Sequence, residues 1–169
     1  MANYIYNEAK DLINSAKTRD VYELCDYLDI HIYKNSNLKK LLGFYTIVNG
    51  RKAIVVNSNK DDLTQRQVIA HEIGHAVLHN DYIENYSMIK EFELMDMRTK
   101  PEYEANVFAS HILISDKDIE DVSMEYDDYQ SIASALGVNI NMLMIKILEL
   151  NKLGKNYNEM FIPKGDFLK

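Results

Sequence analysis

Apolar positions recur at helical spacing in the first part of the chain and then switch to β-branched runs. Residues 2–17 carry a modestly amphipathic pattern that predicts a helix, and Val21, Leu24, Cys25 and Leu28 predict a short second helix over 20–28. Ile30, Ile32 and Tyr33 then suggest a short strand. Two further runs, Gly43–Val48 and Arg51–Asn57, are joined by Asn49-Gly50. Asn-Gly between β-branched runs predicts a tight hairpin, because both turn residues must accept positive φ. Together these segments predict a small, mainly antiparallel sheet of about three strands.

The helical period returns in LTQRQVIAHEIGHAVLH. Thr64 with Gln67 three residues later has capping-box spacing, which predicts a helix from near Gln65 to about His79. Residues 80–100 have no clean period and read as a long connection with room for a short helix. Pro101 suits a first helical position, and EYEANVFASHILI continues the helix to about Ile114 before Ser115-Asp116 ends or restarts it. The remainder is helical in pattern: Ile132, Ala133 and Leu136, then Gly137, then Ile140 to Leu150. The expectation is an α+β chain with residues 1–116 as one domain and residues 117–169 as a helical, helix-turn-helix-like region packed on it.

Composition narrows the setting. A chain of 169 residues that is 47% hydrophobic can bury a core without covalent staples. Cys25 is the single cysteine, so no internal disulfide can form, and its apolar neighbours suit a small buried hydrophobe better than a nucleophile. The opening MANYIYNEAKDLINSAK is polar and unlike a secretory signal, and no apolar run approaches a membrane span. A cytoplasmic location is expected, with no membrane partner. The net charge of −7, with basic pairs only at Lys39-Lys40 and Arg51-Lys52, argues against nucleic acid as the main partner.

The chemistry concentrates in His71-Glu72-Ile73-Gly74-His75. Residues four apart stack on one helix face, so both imidazoles can reach one ion, with Zn–N bonds of about 2.0–2.1 Å. Glu72 lies about 100° round from His71, too far to share the coordination direction but close enough to touch a water beside the ion, which is the placement of a general base. Taking Ile69 as reference, Ile73, Ala76 and Val77 form a core stripe within about 80°, while His71 and His75 fall about 200–240° round. The histidines therefore face away from the sheet, where a second layer can meet them.

A catalytic zinc commonly takes three protein ligands. The next helix offers Glu102 and Glu104 beside a core stripe of Ala105, Phe108, Ala109 and Ile112. Glu102 lies about 60° from Ala105; Glu104 lies about 100° off on the other flank, near His111. A carboxylate beside a buried stripe is costly unless paired, and a zinc ion would be that partner, so the wheel favours Glu102. Glu104 reads as a solvated charge, and His111 falls on the exposed side. Asn106, one turn on from Glu102, is placed to hydrogen-bond a histidine ring N–H from behind. His79 shares the ligand face but lies about 12 Å along the axis from His71, so its roles are contact behind the ligands or capping of the helix end.

HEIGHAVLH followed by EYEANVFASHILIS resembles the ImmA/IrrE family of metallopeptidases. The matching positions are His71, Glu72, His75, Leu78 and His79, then Glu102, Ala105, Asn106, Ala109, Ile112 and Leu113. With VYELCDYLDIHIY and the hairpin ending IVVN, the resemblance spans about residues 20–116. Where the family often closes this helix with Leu-Met-Pro, this chain reads Leu113-Ile114-Ser115, which does not touch the ligand positions. The resemblance implies a zincin-like fold, zinc held by His71, His75 and Glu102, and Glu72 as catalytic base. It further implies site-specific cleavage of a helix-turn-helix repressor encoded by a phage or integrative element, as in the ImmA branch. At 169 residues, the extra sensor domain of the IrrE branch is not expected.

Two other classes compete. DYQSIASALGVNINMLMIKILEL imitates a helix-turn-helix, which would make the chain a DNA-binding regulator, but the would-be recognition helix presents Ile140, Met142 and Met144 with Lys146 as its only base. A catalytically inactive repressor-binding protein on the same fold is the other, against which stands the intact Glu72.

Overall fold

The computed structural model describes residues 2–79, 89–91 and 97–157. The chain opens with α1 (Ala2–Ala16), which buries Ile5, Ala9 and Leu12 along one face, and α2 (Val21–Tyr27). The Asp20 carboxylate caps α2 by accepting the N–H groups of Tyr22 and Glu23 at 2.9 and 3.2 Å. Cys25, on the inner face of α2, is fully buried, and burial pushes its thiol up to about 12, as befits a packing residue.

Strands β1 (Ile30–Asn35), β2 (Gly43–Val48) and β3 (Arg51–Asn57) are the three runs read from the pattern. Asn49 and Gly50 join β2 to β3 with φ of 52° and 75°, so the turn is the positive-φ hairpin that Asn-Gly predicts. A fourth strand, β4 (Ile89–Glu91), pairs antiparallel with Gly43–Tyr45 inside the stretch read as a connection. Three residues are too few to show a period. The order is β1-β3-β2-β4, with β1 parallel to β3 and the other two pairings antiparallel. Ile32, Ile54 and Tyr45 stand in register across one face, and Tyr45 and Ile54 are fully buried beneath the helices.

Helix α3 (Asp62–Leu78) starts three residues before the expected Gln65. Thr64 is not its cap. Asp61 is, accepting the Thr64 N–H at 2.8 Å and the Thr64 hydroxyl at 3.0 Å. A carboxylate at the N-cap meets both the orphan amides and the positive helix end, and it takes the position from threonine. Unlike a surface helix, α3 is buried over most of its circumference, because the sheet and α2 cover one side and α4 (Lys100–Leu113) covers the other. Gly74 is the point of closest approach: a Cβ there would stand 3.0 Å from both Cα and O of Ala105.

Three helices follow: α5 (Asp116–Val122), α6 (Tyr129–Ala135) and α7 (Ile140–Lys152), capped by Ser115, Asp128 and Asn139. Gly137, at φ 63°, terminates α6 in the left-handed conformation. The inner face of α7 buries Met142, Leu143, Ile147 and Leu150 and packs on α4. Lys146, the base at the centre of the would-be recognition helix, is 1% exposed and reaches Asp116 at 2.7 Å and His111 Nδ1 at 2.9 Å. His111 is correspondingly buried, contrary to the wheel, which could not see α1 and α7 closing over that side. No single helix among the described residues is long and apolar enough to cross a membrane.

Candidate metal centre

Gly74 and Ala105 let the axes of α3 and α4 approach closely, and this brings the acidic first turn of α4 against the histidine face of α3. Thr99 caps α4, accepting the Glu102 N–H, and Pro101 sits in the first turn. Glu102 thus has capping-box spacing from Thr99, yet its carboxylate turns to α3. Oε2 lies 3.1 Å from His71 Nε2, and Oε1 lies 3.6 Å from His75 Nε2. The two Nε2 atoms are 3.0 Å apart. His71, His75 and Glu102 therefore offer three ligand atoms all within 4.8 Å of one another.

Hydrogen bonds behind the rings set which nitrogen faces the centre. His71 Nδ1 is 3.0 Å from Asn106 Oδ1, a carbonyl oxygen that can only accept, so His71 carries its proton on Nδ1 and turns the Nε2 lone pair inward. His75 Nδ1 is 3.1 Å from His79 Nδ1, and His79 Nε2 is 3.1 Å from Glu104 Oε2. The Glu104 carboxylate takes the His79 Nε2–H, His79 Nδ1 then accepts, and His75 donates from Nδ1. Its Nε2 lone pair also points inward.

Burial pushes His75 down to about 4, so the ring is neutral near pH 7, the form a metal requires. Glu102 Oε2 is buried and lies outside hydrogen-bond geometry with every described residue, despite its approach to His71. Two inward imidazole lone pairs and a carboxylate oxygen fit a divalent cation and fit each other poorly without one.

Glu72 is fully buried beside this group, and its Oε2 accepts the Tyr45 backbone N–H of β2 at 2.8 Å. That anchor is invisible in the residue pattern, because a backbone donor has no residue type. Nor did the wheel find Glu104, whose side chain is 15% exposed and holds His79 and Lys100. The signal was present in the spacing of His79, four residues after His75. The His79 backbone N–H also donates to His75 O at 2.9 Å, the last i to i−4 bond of α3. Strand β3 lies between β1 and β2, and β2 lies between β3 and β4.

Residues 25–148 match the IrrE N-terminal-like domain, a peptidase family. The chain is similar to an "uncharacterized immunity region protein 2" of Bacillus phage phi105, with 37% identity over 105 residues, 62% of this chain and 65% of that protein. It is also similar to metallopeptidase ImmA of Bacillus subtilis, with 29% identity over 113 residues, 67% of this chain and 64% of that protein. The alignments thus span just under two thirds of either relative's length.

Proposed function

Because the chain belongs to the IrrE N-terminal-like domain family of peptidases, we propose that it is a cytoplasmic zinc-dependent endopeptidase that cuts a helix-turn-helix repressor of a phage or integrative element at a specific site. The observation that carries the reading is the convergence of His71 Nε2, His75 Nε2 and a Glu102 oxygen in a largely buried cluster beside Glu72. The printed names of the relatives, a phage immunity-region protein and a metallopeptidase, point the same way.

His71, His75 and Glu102 would hold the ion. A bound zinc supplies Lewis acidity, which polarises a scissile carbonyl and acidifies a water. Glu72 receives the water's proton and returns it to the leaving amine. The Tyr45 amide fixes Glu72 Oε2, so the base is oriented before substrate arrives. Asn106 holds the His71 ring in the required tautomer.

The test is incubation of the full chain with the repressor encoded beside its gene, with and without a chelator. The chelator is expected to stop cleavage. Glu72→Gln is expected to keep one zinc per chain by elemental analysis while cleavage falls by about 10³-fold. Cutting at the normal rate by Glu72→Gln would overturn the mechanism. A zinc-loaded wild type that binds the repressor and leaves it whole would favour the inactive binding protein instead.

A further inference from the structure

The two imidazoles of the metal group are backed by different chemistry. Behind His71 stands a neutral amide, Asn106. Behind His75 stands a second imidazole, and behind that a carboxylate: His75 Nδ1 to His79 Nδ1 at 3.1 Å, then His79 Nε2 to Glu104 Oε2 at 3.1 Å. Lys100 Nζ, 3.5 Å from the other Glu104 oxygen, keeps the carboxylate oriented. His79 and Glu104 are mostly buried, at 11% and 15% side-chain exposure, so the chain of contacts is shielded from competing water.

We propose that Glu104 and His79 form a carboxylate–imidazole relay that positions His75 and strengthens its hold on the metal. The inference rests on the metal reading above and goes beyond it, since neither residue touches the ion. A neutral imidazole has one donor and one acceptor. Glu104 commits the His79 proton to Nε2; His79 Nδ1 must then accept from His75 Nδ1; His75 Nε2 is left as a lone pair directed at the ion. Negative charge at Glu104 polarises both hydrogen bonds in the series and strengthens His75 Nε2 as a lone-pair donor to the ion. Helix capping does not explain the ring, because the cap bond uses the His79 backbone N–H alone.

The experiment measures zinc affinity of the full chain against a chromophoric chelator for wild type, His79→Phe, His79→Asn, Glu104→Gln and the His79→Phe/Glu104→Gln double variant. His79→Phe is expected to weaken zinc by about 10–100-fold, while the metal-free melting temperature stays close to wild type. Glu104→Gln is expected to weaken it by about 3–10-fold in wild type and by less than about twofold in the His79→Phe background, because the relay is already cut. His79→Asn places an amide oxygen near the lost Nδ1 and is expected to recover part of the affinity.

The relay is overturned if Glu104→Gln leaves zinc affinity unchanged, or if it costs the same in both backgrounds. Should His79→Phe fail to fold, His79→Asn serves as the second background. A wild type that takes up no zinc refutes the metal reading itself. A wild type that takes up zinc, with relay variants that match it, refutes the relay alone.

Discussion

Two buried histidine clusters flank the same helix, about 180° apart round α4, and they solve the same electrostatic problem in opposite ways. At His111 the acceptors close on a cation the chain itself supplies. Lys146 Nζ meets His111 Nδ1 and Asp116 Oδ1, and the Tyr6 hydroxyl donates to the other Asp116 oxygen at 2.9 Å. Burial pushes Lys146 down to about 8 against the pull of Asp116, so the ammonium persists at neutral pH. At His71, His75 and Glu102 the acceptors also converge, but the group consists of acceptors only and suits a cation brought from outside. A buried polar cluster marks a structural joint when its charges close within the chain. It marks a ligand site when they close only around something added.

The comparison breaks most visibly at Lys146. Lys146→Met should cost about 3 kcal/mol of stability in denaturant unfolding, toward the low end for a broken buried pair because Asp116 can still reach water. Zinc affinity should stay within about twofold, since the cation lost belongs to the other cluster. A loss below about 0.5 kcal/mol would mean that Lys146 does not pin α7 to α4.

Gly74→Ala should strike the opposite flank. The added methyl meets the Ala105 backbone, and overpacking should outweigh the gain in helix propensity, for a net loss of about 1–2 kcal/mol. Pushing α4 away moves Glu102 from the histidines, so zinc should weaken by about tenfold in the same chelator competition. Unchanged zinc affinity would show that the close approach does not set the ligand geometry.

Acid separates the clusters by proton count. His111 is pushed down to about 3, by burial first and by Lys146 second, and His75 to about 4 by burial. Unfolded, each binds a proton near pH 6.5; folded, each resists until its lower value. As pH falls below 6.5 the unfolded chain therefore holds more protons, and each group removes about 1.4 kcal/mol of stability per pH unit down to its folded pKa. Urea unfolding of metal-free protein between pH 6.5 and 5 should show this slope, and His111→Gln should halve it. An unaltered slope would mean that His111 is protonated in the native state.

The sequence made the local features legible and left the lateral ones hidden. The hairpin was readable because Asn49-Gly50 fixes two dihedral angles by residue type, and His71 and His75 because helical spacing alone stacks them. Glu102 was separable from Glu104 by angle from Ala105. What failed depended on neighbours that one helix cannot report. His111 looked exposed until α1 and α7 covered it. Glu104 looked solvated until His79 reached it from α3. The start of α3 was misplaced because two competent caps, Asp61 and Thr64, lie three residues apart and the charged one prevails.

The contact between Glu72 and the Tyr45 amide bears on how the protein tolerates change. The donor that steadies Glu72 is main chain, so every genetic substitution at position 45 except proline keeps it. An alanine scan along β2 would pass over the anchor, registering only the loss of the Tyr45 ring from the core. The orientation of the Glu72 carboxylate is thus insulated from point mutation and exposed instead to anything that slides the strand: an insertion in the hairpin, or a shift in register by one residue.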